Sequence, residues 1–218
     1  MTDQKKIASY LDATMLKPTA TREDIKKLCT EAIQYGYAAV CINPFHVQYA
    51  AKLLAGSKIG IATVAGFPLG ANTVKIKMLE AREAIANGAT EIDMVMNIGA
   101  LKERQIDYIT KEIRLVKHNI GDKILKVIIE TGLLTPEEKR LATLAVKEAG
   151  ADMIKTSTGF AGGATIEDVL LIKETAPGLK IKASGGIRDF NTAQEFIALG
   201  VERIGTSSAR AIVEQAQP

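Results

Sequence analysis

The amino-acid sequence predicts one domain of the α/β class, folded as a (β/α)8 barrel of the TIM type. Short apolar runs rich in β-branched residues alternate eight times with longer amphipathic runs. Several short runs are almost continuously apolar, as expected for parallel strands that are covered on both faces. The chain has 218 residues and no linker-like segment, and barrels of this type begin at about 200 residues. We therefore expect residues 1–218 to form a single barrel.

The eight predicted strands recur at intervals of roughly 25–30 residues, the size of one strand–helix unit. They are expected at residues 10–14, 38–43, 60–64, 91–97, 125–130, 152–156, 180–184 and 203–206. An open doubly wound sheet is the structural alternative, and it usually has a glycine-rich turn after its first strand. Here that strand is followed by Met15-Leu16-Lys17-Pro18, which contains no glycine, so the closed barrel is favoured.

Capping residues mark the ends of the predicted helices. Before three helices a threonine is followed three residues later by an acidic residue, the pattern of a capping box. The pairs are Thr21 with Asp24, Thr135 with Glu138, and Thr165 with Asp168. Glycine often follows the last helical turn because it adopts left-handed backbone angles readily. The glycines in such positions are Gly36, Gly88, Gly150 and Gly200.

Composition excludes several classes of function. The net charge is only +3 and the basic residues are scattered, whereas a nucleic-acid-binding protein would cluster them on one face. Residues 1–10 are charged and lack an apolar segment, and the chain has no run of 18 apolar residues, so we expect no signal peptide and a cytoplasmic protein without a membrane partner. The chain has two cysteines and two histidines, too few for a typical zinc site or disulfide framework. A homo-oligomer remains an open alternative.

Three ionisable residues at predicted strand ends require an explanation. Catalytic groups of such barrels lie at the C-terminal ends of the strands, and Asp or Lys is almost never fully buried unless it is paired. Asp93 interrupts the fourth strand, and strand parity places it, with Val95 and Asn97, on the face toward the barrel axis. The structural alternative is a carboxylate that simply pairs with a lysine.

Lys155 and Lys182 occupy matching positions on the sixth and seventh strands. Adjacent strands lie about 4.8 Å apart, so two inward ammonium groups would share one small cavity. Like charges so close disfavour double protonation, and a lysine beside another cation is a common amine nucleophile. The alternative is that each lysine pairs with its own carboxylate, with Glu130 and Asp93 available. Two lysines at neighbouring strand ends favour the nucleophile.

Glycines and serines after the last two strands predict a phosphate site. Barrels of this type commonly bind phosphate with the loops after strands seven and eight. The candidate residues are Gly185, Gly186, Arg188, Gly205, Thr206, Ser207 and Ser208. Backbone N–H groups at glycines approach phosphate oxygens closely, the serines add hydroxyl donors, and the arginine adds charge. The alternative reading is ordinary turn glycines and a helix N-cap at Ser207.

These motifs resemble the 2-deoxyribose-5-phosphate aldolase family. The motifs are Asp93-Met94-Val95, Lys155-Thr156-Ser157-Thr158-Gly159-Phe160, Lys182-Ala183-Ser184-Gly185-Gly186-Ile187-Arg188 and Gly205-Thr206-Ser207-Ser208. The similarity continues at Leu11-Asp12 with Thr14, at Val40-Cys41-Ile42-Asn43-Pro44 and at Gly66-Phe67-Pro68-Leu69-Gly70, so it covers nearly the whole chain in order.

The resemblance implies a class I, metal-independent aldolase in which Lys155 forms a Schiff base. Asp93 and Lys182 would donate and accept protons through a water molecule. Substrate or phosphate contacts would come from Asp12, Thr14, Gly159, Gly185, Gly186, Arg188, Gly205, Ser207 and Ser208. The implied reaction is reversible cleavage of deoxyribose 5-phosphate to glyceraldehyde 3-phosphate and acetaldehyde, without any cofactor.

Three departures from the family pattern are not expected to change the implied reaction. Ala209 stands where many members have glycine, Ala13 where relatives often have histidine, and residues 213–218 contain no tyrosine. We expect these differences to tune rate and substrate range. Cys41 lies on the second predicted strand, where it is either a thiol that reacts with aldehyde products or a small core residue.

Two other functions remain as alternatives. One is a different phosphosugar lyase or isomerase on the same barrel, because fold does not fix function. The other is a non-catalytic barrel that binds a phosphorylated metabolite. Isomerases typically use a carboxylate base, and a non-catalytic barrel would be expected to have lost Lys155, Lys182 or Asp93. The lysine pair therefore favours the aldolase.

Overall fold

Eight parallel strands form a closed barrel in the computed structural model, which describes residues 3–216. The strands are β1 (Leu11–Met15), β2 (Ala39–Ile42), β3 (Gly60–Ala65), β4 (Glu91–Val95), β5 (Ile124–Ile128), β6 (Met153–Lys155), β7 (Lys180–Ser184) and β8 (Arg203–Thr206). Each strand pairs with the next along the chain, and β8 pairs with β1. The predicted (β/α)8 barrel is therefore confirmed, and the open doubly wound sheet is excluded.

Within the described residues ten α-helices accompany the strands. They are α1 (Asp3–Ala8), α2 (Arg22–Tyr35), α3 (Val47–Leu53), α4 (Val74–Ala86), α5 (Ile98–Lys102), α6 (Ile106–Ile120), α7 (Pro136–Glu148), α8 (Ile166–Thr175), α9 (Phe190–Ala198) and α10 (Ala209–Gln215). Ile92 and Met94 on β4, and Met96 just after it, belong to the main hydrophobic core, as the predicted parity of this segment requires. This core joins the strands to the helices and leaves the barrel interior for other side chains.

Two of the three predicted capping boxes form. Thr21 and Thr135 accept the expected backbone N–H groups, and the acidic residue three positions on accepts the N–H of each threonine in return. At α8 the hydroxyl of Thr165 accepts the N–H of Asp168 at 3.1 Å, but the reciprocal bond is not made. The carboxylate of Asp168 pairs with Lys139 instead, since an ammonium is the stronger hydrogen-bond donor.

Two strands, β4 and β5, end two residues earlier than the sequence predicts. Predicted β4 reached Asn97, but this strand ends at Val95 and the side chain of Asn97 accepts the N–H of Ala100 at 3.0 Å, capping α5. The Asn97 side chain is therefore turned toward α5 and not toward the barrel axis as predicted. Short polar side chains often bind nearby backbone groups in this way and so compete with strand pairing. Predicted β5 reached Glu130, but the strand ends at Ile128, and Glu130 has a left-handed φ of 54°.

The barrel interior is divided between small and long side chains. Small residues line β2, β3 and part of β8, namely Ala39, Cys41, Gly60, Ala62 and Gly205. A Cβ added at Gly205 would lie 2.9 Å from Cε of Lys182, and one at Gly60 would lie 2.9 Å from Oε1 of Glu91. The small residues thus leave the volume that long charged side chains from the other strands occupy.

Candidate active site

A cluster of seven charged side chains fills the centre of the barrel, and we call it the charge cluster. Its members are Asp12, Glu91, Asp93, Lys126, Lys155, Lys182 and Arg203. All but Arg203 are buried, and the side chain of Arg203 is only 13% exposed. Burial of so many charges is tolerable because each one is paired with at least one opposite charge.

Asp93 joins the two lysines that the sequence singled out. Its Oδ2 accepts from Nζ of Lys155 at 2.8 Å and from Nζ of Lys182 at 2.7 Å. Its Oδ1 accepts from Nζ of Lys126 at 2.9 Å. The two amines therefore lie beside each other on one oxygen. Glu130 is not a partner of either lysine, because its carboxylate binds Thr158; the second carboxylate on Lys182 is Asp12.

The pKa shifts keep this cluster ionised around Lys155. Burial opposes the charge of Asp93, but Lys126, Lys155 and Lys182 hold the pKa of its carboxyl well below the ordinary value. Burial also disfavours the ammonium of Lys182, yet Asp12 and Asp93 raise the pKa of that amine above its ordinary value. Lys182 is consequently a fixed positive charge next to Lys155, and Asp93 is a fixed negative one.

Three members of the charge cluster were not among the predicted site residues. Lys126 interrupts the apolar run of β5 just as Asp93 interrupts β4, so the same argument could have found it. Arg203 donates to Asp12 and, at 2.7 Å, to Glu91. Both Arg203 and Glu91 stand at the start of their strands, where a charged residue is expected to be solvated. Their positions in the sequence therefore did not indicate that the two side chains form a buried ion pair.

A cavity of about 480 Å³ opens above the charge cluster at the C-terminal ends of the strands. Lys155 is the only cluster member among its lining residues. The predicted residues that line it with Lys155 are Thr14, Gly159, Gly185, Gly186, Arg188, Gly205, Thr206 and Ser207. Asp93 and Lys182 lie beneath Lys155, wholly buried, and so does Asp12. Asp12 thus contacts Lys182 at 2.5 Å and has no surface in the cavity.

Glycines with left-handed backbone angles form one wall of the cavity. Gly159, Gly185 and Gly186 have φ values of 89°, 93° and 81°, which other residues rarely adopt. A Cβ at Gly185 would lie only 2.8 Å from Cα of Gly163 in the neighbouring loop. These positions therefore require glycine, and they leave backbone groups open to a ligand in the cavity.

Of the polar residues predicted at the mouth of the cavity, some line it and some do not. Ser207 and Arg188 are exposed and line the cavity. Ser208 does not line it, and its N–H donates to Oγ1 of Thr206 at 2.9 Å. The N-cap residue of α10 is Ser208 and not Ser207, which excludes the alternative role considered for Ser207. Ala209 is buried at the first position of α10.

Cys41 and Ala13 point to opposite sides of the sheet. The thiol of Cys41 is buried inside the barrel, 3.8 Å from Oδ2 of Asp93, and burial raises its pKa. Ala13 belongs to the main hydrophobic core, away from the cavity. Of the predicted tail, residues 217 and 218 lie outside the described part of the chain. Among residues 3–216 no helix has the length and apolar character to cross a bilayer, and no cluster of His, Cys, Asp or Glu could hold a metal ion.

Comparison with known proteins decides the family. The family model described as DeoC/LacD family aldolase matches residues 2–215. The chain belongs to this family. The aldolase is 54% identical over 210 residues to the deoxyribose-phosphate aldolase of Brevibacillus brevis, and the match covers 95% of each chain. The family membership that the sequence motifs predicted, that of deoxyribose-phosphate aldolases, is therefore confirmed.

Solved structures share the fold of the aldolase over almost its whole length. A protein described as QR15, an aldolase, has a TM-score of 0.92 and 42% identity, covering 98% of this chain and 96% of that chain. The deoxyribose phosphate aldolase of Aeropyrum pernix, described as having a unique tetrameric structure, has a TM-score of 0.88 and 32% identity, covering 97% and 91%. The aldolase thus combines a shared barrel with a lysine-rich centre.

Proposed function

We propose that this aldolase reversibly cleaves 2-deoxy-D-ribose 5-phosphate to D-glyceraldehyde 3-phosphate and acetaldehyde through a Schiff base on Lys155. One observation carries the proposal. The amines of Lys155 and Lys182 lie on the same oxygen of Asp93, and of these three groups only Lys155 lines the cavity. Lys155 is therefore the amine that a substrate can reach.

Charge balance supports Lys155 as the nucleophile. Besides Lys155, the charge cluster contains three carboxylates and three cations, from Asp12, Glu91 and Asp93 and from Lys126, Lys182 and Arg203. These six formal charges cancel, so the network is balanced without any contribution from Lys155. An uncharged amine is the form that attacks a carbonyl carbon.

The chemistry of the reaction follows from that amine. Nζ of Lys155 adds to the aldehyde carbon of the open-chain sugar, and loss of water from the carbinolamine leaves an iminium. The bond between C2 and C3 then breaks, the C3 hydroxyl loses its proton, and the bonding electrons move into the iminium to give a neutral enamine. Glyceraldehyde 3-phosphate leaves. Protonation of the enamine carbon and addition of water to the new iminium release acetaldehyde and restore the amine.

Asp93 and Lys182 serve the proton transfers in this proposal. Asp93 contacts Lys155 directly, and Lys182 contacts the same oxygen of Asp93, so both lie where a water molecule could pass protons to and from the carbinolamine and enamine. General acid–base catalysis of this kind contributes about 10²–10⁴-fold to a rate. Lys126 binds the opposite oxygen of Asp93 and so keeps the carboxylate oriented.

The phosphate group is assigned to the glycine wall and mouth of the cavity. Gly159, Gly185 and Gly186 offer closely approachable backbone, Ser207 adds a hydroxyl, and Arg188 adds a positive charge. Ser208 and Asp12 are not expected to contact the substrate, since neither lines the cavity. The reaction as written needs no metal or organic cofactor. The enzyme is further proposed to work as a homo-oligomer, because the similar deoxyribose phosphate aldolase of Aeropyrum pernix is described as tetrameric.

Trapping of the imine tests this proposal. Incubation with acetaldehyde and borohydride should add a two-carbon unit to the peptide that contains Lys155. A coupled assay, run with a chelator present, should detect glyceraldehyde 3-phosphate released from deoxyribose 5-phosphate. A label on another peptide would overturn the assignment of Lys155. Loss of activity on chelation would overturn the metal-independent reaction.

A further inference from the structure

A buried carboxylate lies directly behind the glycine wall of the cavity. Glu130 follows β5, is 2% exposed and does not line the cavity. Its backbone has φ 54° and ψ 65°, a left-handed conformation that a residue with a side chain adopts at a cost in energy. Such a conformation persists where surrounding contacts hold it, so the contacts of the Glu130 side chain indicate what it does.

Those contacts are all made with the loop that follows Lys155. Oε1 of Glu130 accepts the N–H of Thr158 at 3.2 Å, and Oε2 accepts the same N–H at 3.3 Å. Oε2 also accepts a short hydrogen bond from the hydroxyl of Thr158. That hydroxyl in turn accepts the N–H of Phe160 at 3.0 Å. The carboxylate therefore fixes the backbone on both sides of Gly159.

The far end of this loop is fixed by the next loop of the barrel. The N–H of Ala164 donates to the carbonyl of Gly185 at 3.0 Å, and a Cβ at Gly163 would lie 2.7 Å from the same oxygen. The segment between these fixed ends carries Gly159 along the cavity wall. Its position relative to Gly185 and Gly186 is thus set by the Glu130 carboxylate at one end and by glycine contacts at the other.

We propose that Glu130 is a positioning residue that holds Gly159 in place for the phosphate group of the substrate. The proposal rests on the proposed function, because it concerns the phosphate site of that reaction. Glu130 itself does not touch the phosphate, since it is buried behind Thr158 and two anions would repel each other. Its role is to accept the donors of Thr158, and only a carboxylate can accept from the N–H and the hydroxyl with both oxygens.

The variant Glu130→Gln tests this role with almost no change in volume. Its amide nitrogen is a donor and leaves one bond to Thr158 unmade, so the wall near Gly159 loosens. KM for deoxyribose 5-phosphate should rise about tenfold or more, the effect of one lost hydrogen bond to a charged group. The kcat value, the kcat/KM for unphosphorylated 2-deoxyribose and the borohydride labelling of Lys155 by acetaldehyde should stay within about twofold.

Two further variants make the result decisive. Glu83→Gln, an exposed change on α4, is the matched control and should leave every parameter unchanged. Thr158→Val removes the hydroxyl that relays to Phe160, and it should raise KM in the same direction even if Glu130→Gln fails to fold. Equal losses with both sugars, or an unchanged KM in the variant that folds, would overturn the proposal. A parent enzyme that does not cleave deoxyribose 5-phosphate would instead overturn the proposed function.

Discussion

Replacement of Lys182 by leucine removes the fixed positive charge next to Lys155. The side chain of Lys182 is fully buried, and its Nζ lies 2.5 Å from Oδ2 of Asp12 and 2.7 Å from Oδ2 of Asp93. Loss of one partner from a buried ion pair costs about 3–5 kcal/mol. Here Asp93 keeps Lys126 and Lys155, so we expect the lower end of this range.

Two measurements separate the stability effect from the catalytic effect of Lys182→Leu. A loss of about 3 kcal/mol should lower Tm by roughly 6–12 °C in a chain of this size, which a thermal melt detects. Loss of the proton relay should lower kcat for deoxyribose 5-phosphate by about 10²–10⁴-fold, or roughly 3–5 kcal/mol in the barrier. The coupled glyceraldehyde 3-phosphate assay, run well below Tm, measures this loss.

The matched control lies on the same strand. Lys180 is 57% exposed and its Nζ lies 3.6 Å from Glu202, a surface pair that contributes at most about 1 kcal/mol. Lys180→Leu should therefore keep normal turnover and nearly the parent Tm. If folded Lys182→Leu retained turnover within about fivefold of this control, the relay role would be rejected.

Three other perturbations have defined outcomes. Gly205→Ala should reduce both stability and kcat, because the added Cβ would lie 2.9 Å from Cε of Lys182; parent-like melting and turnover would refute the packing argument. The depressed pKa values of Asp12 and Asp93 mean that their ionisation stabilises the fold above the unfolded pKa of about 4 and that this stabilisation is lost as the pH falls. Urea unfolding at pH 5 and pH 3 should show a lower free energy at pH 3, and equal values would contradict the network. Cys41→Ala should lose activity during long exposure to acetaldehyde at the same rate as the parent, because the thiol is fully buried, does not line the cavity and has a raised pKa; slower inactivation of the variant would show that the thiol reacts. Equal inactivation of the two proteins would leave Cys41 as a small core residue.

The elements that the sequence predicted well depend on local patterns. The apolar runs gave all eight strands to within one or two residues, because each strand is covered by helices and reads as a short hydrophobic segment. The parity of β4 placed Asp93 inside the barrel, and matching strand positions brought Lys155 and Lys182 together. These results follow from the repeat of two residues along a strand.

The parts that the sequence did not predict depend on contacts between distant positions. Arg203 binds Asp12 across the closure of the barrel, and the two residues are 191 positions apart. Asn97 and Glu130 look like strand residues, but the side chain of Asn97 caps α5 and that of Glu130 binds Thr158, which is 28 positions further along the chain. Asp12 was expected at the substrate, whereas it does not line the cavity, because its carboxylate pairs with the buried Lys182 and with Arg203.

The shared interior of small and long side chains has a consequence for how this enzyme could change. Gly205 leaves room for Lys182 and Gly60 leaves room for Glu91, so a larger residue at either position would displace a charged side chain of the neighbouring strand. Variation there requires compensation at a second site. Substitutions in the loops that border the cavity need no compensating change in the charge cluster. We therefore expect substitutions in these loops to change which aldehydes the enzyme accepts, while the residues inside the barrel stay the same in active variants.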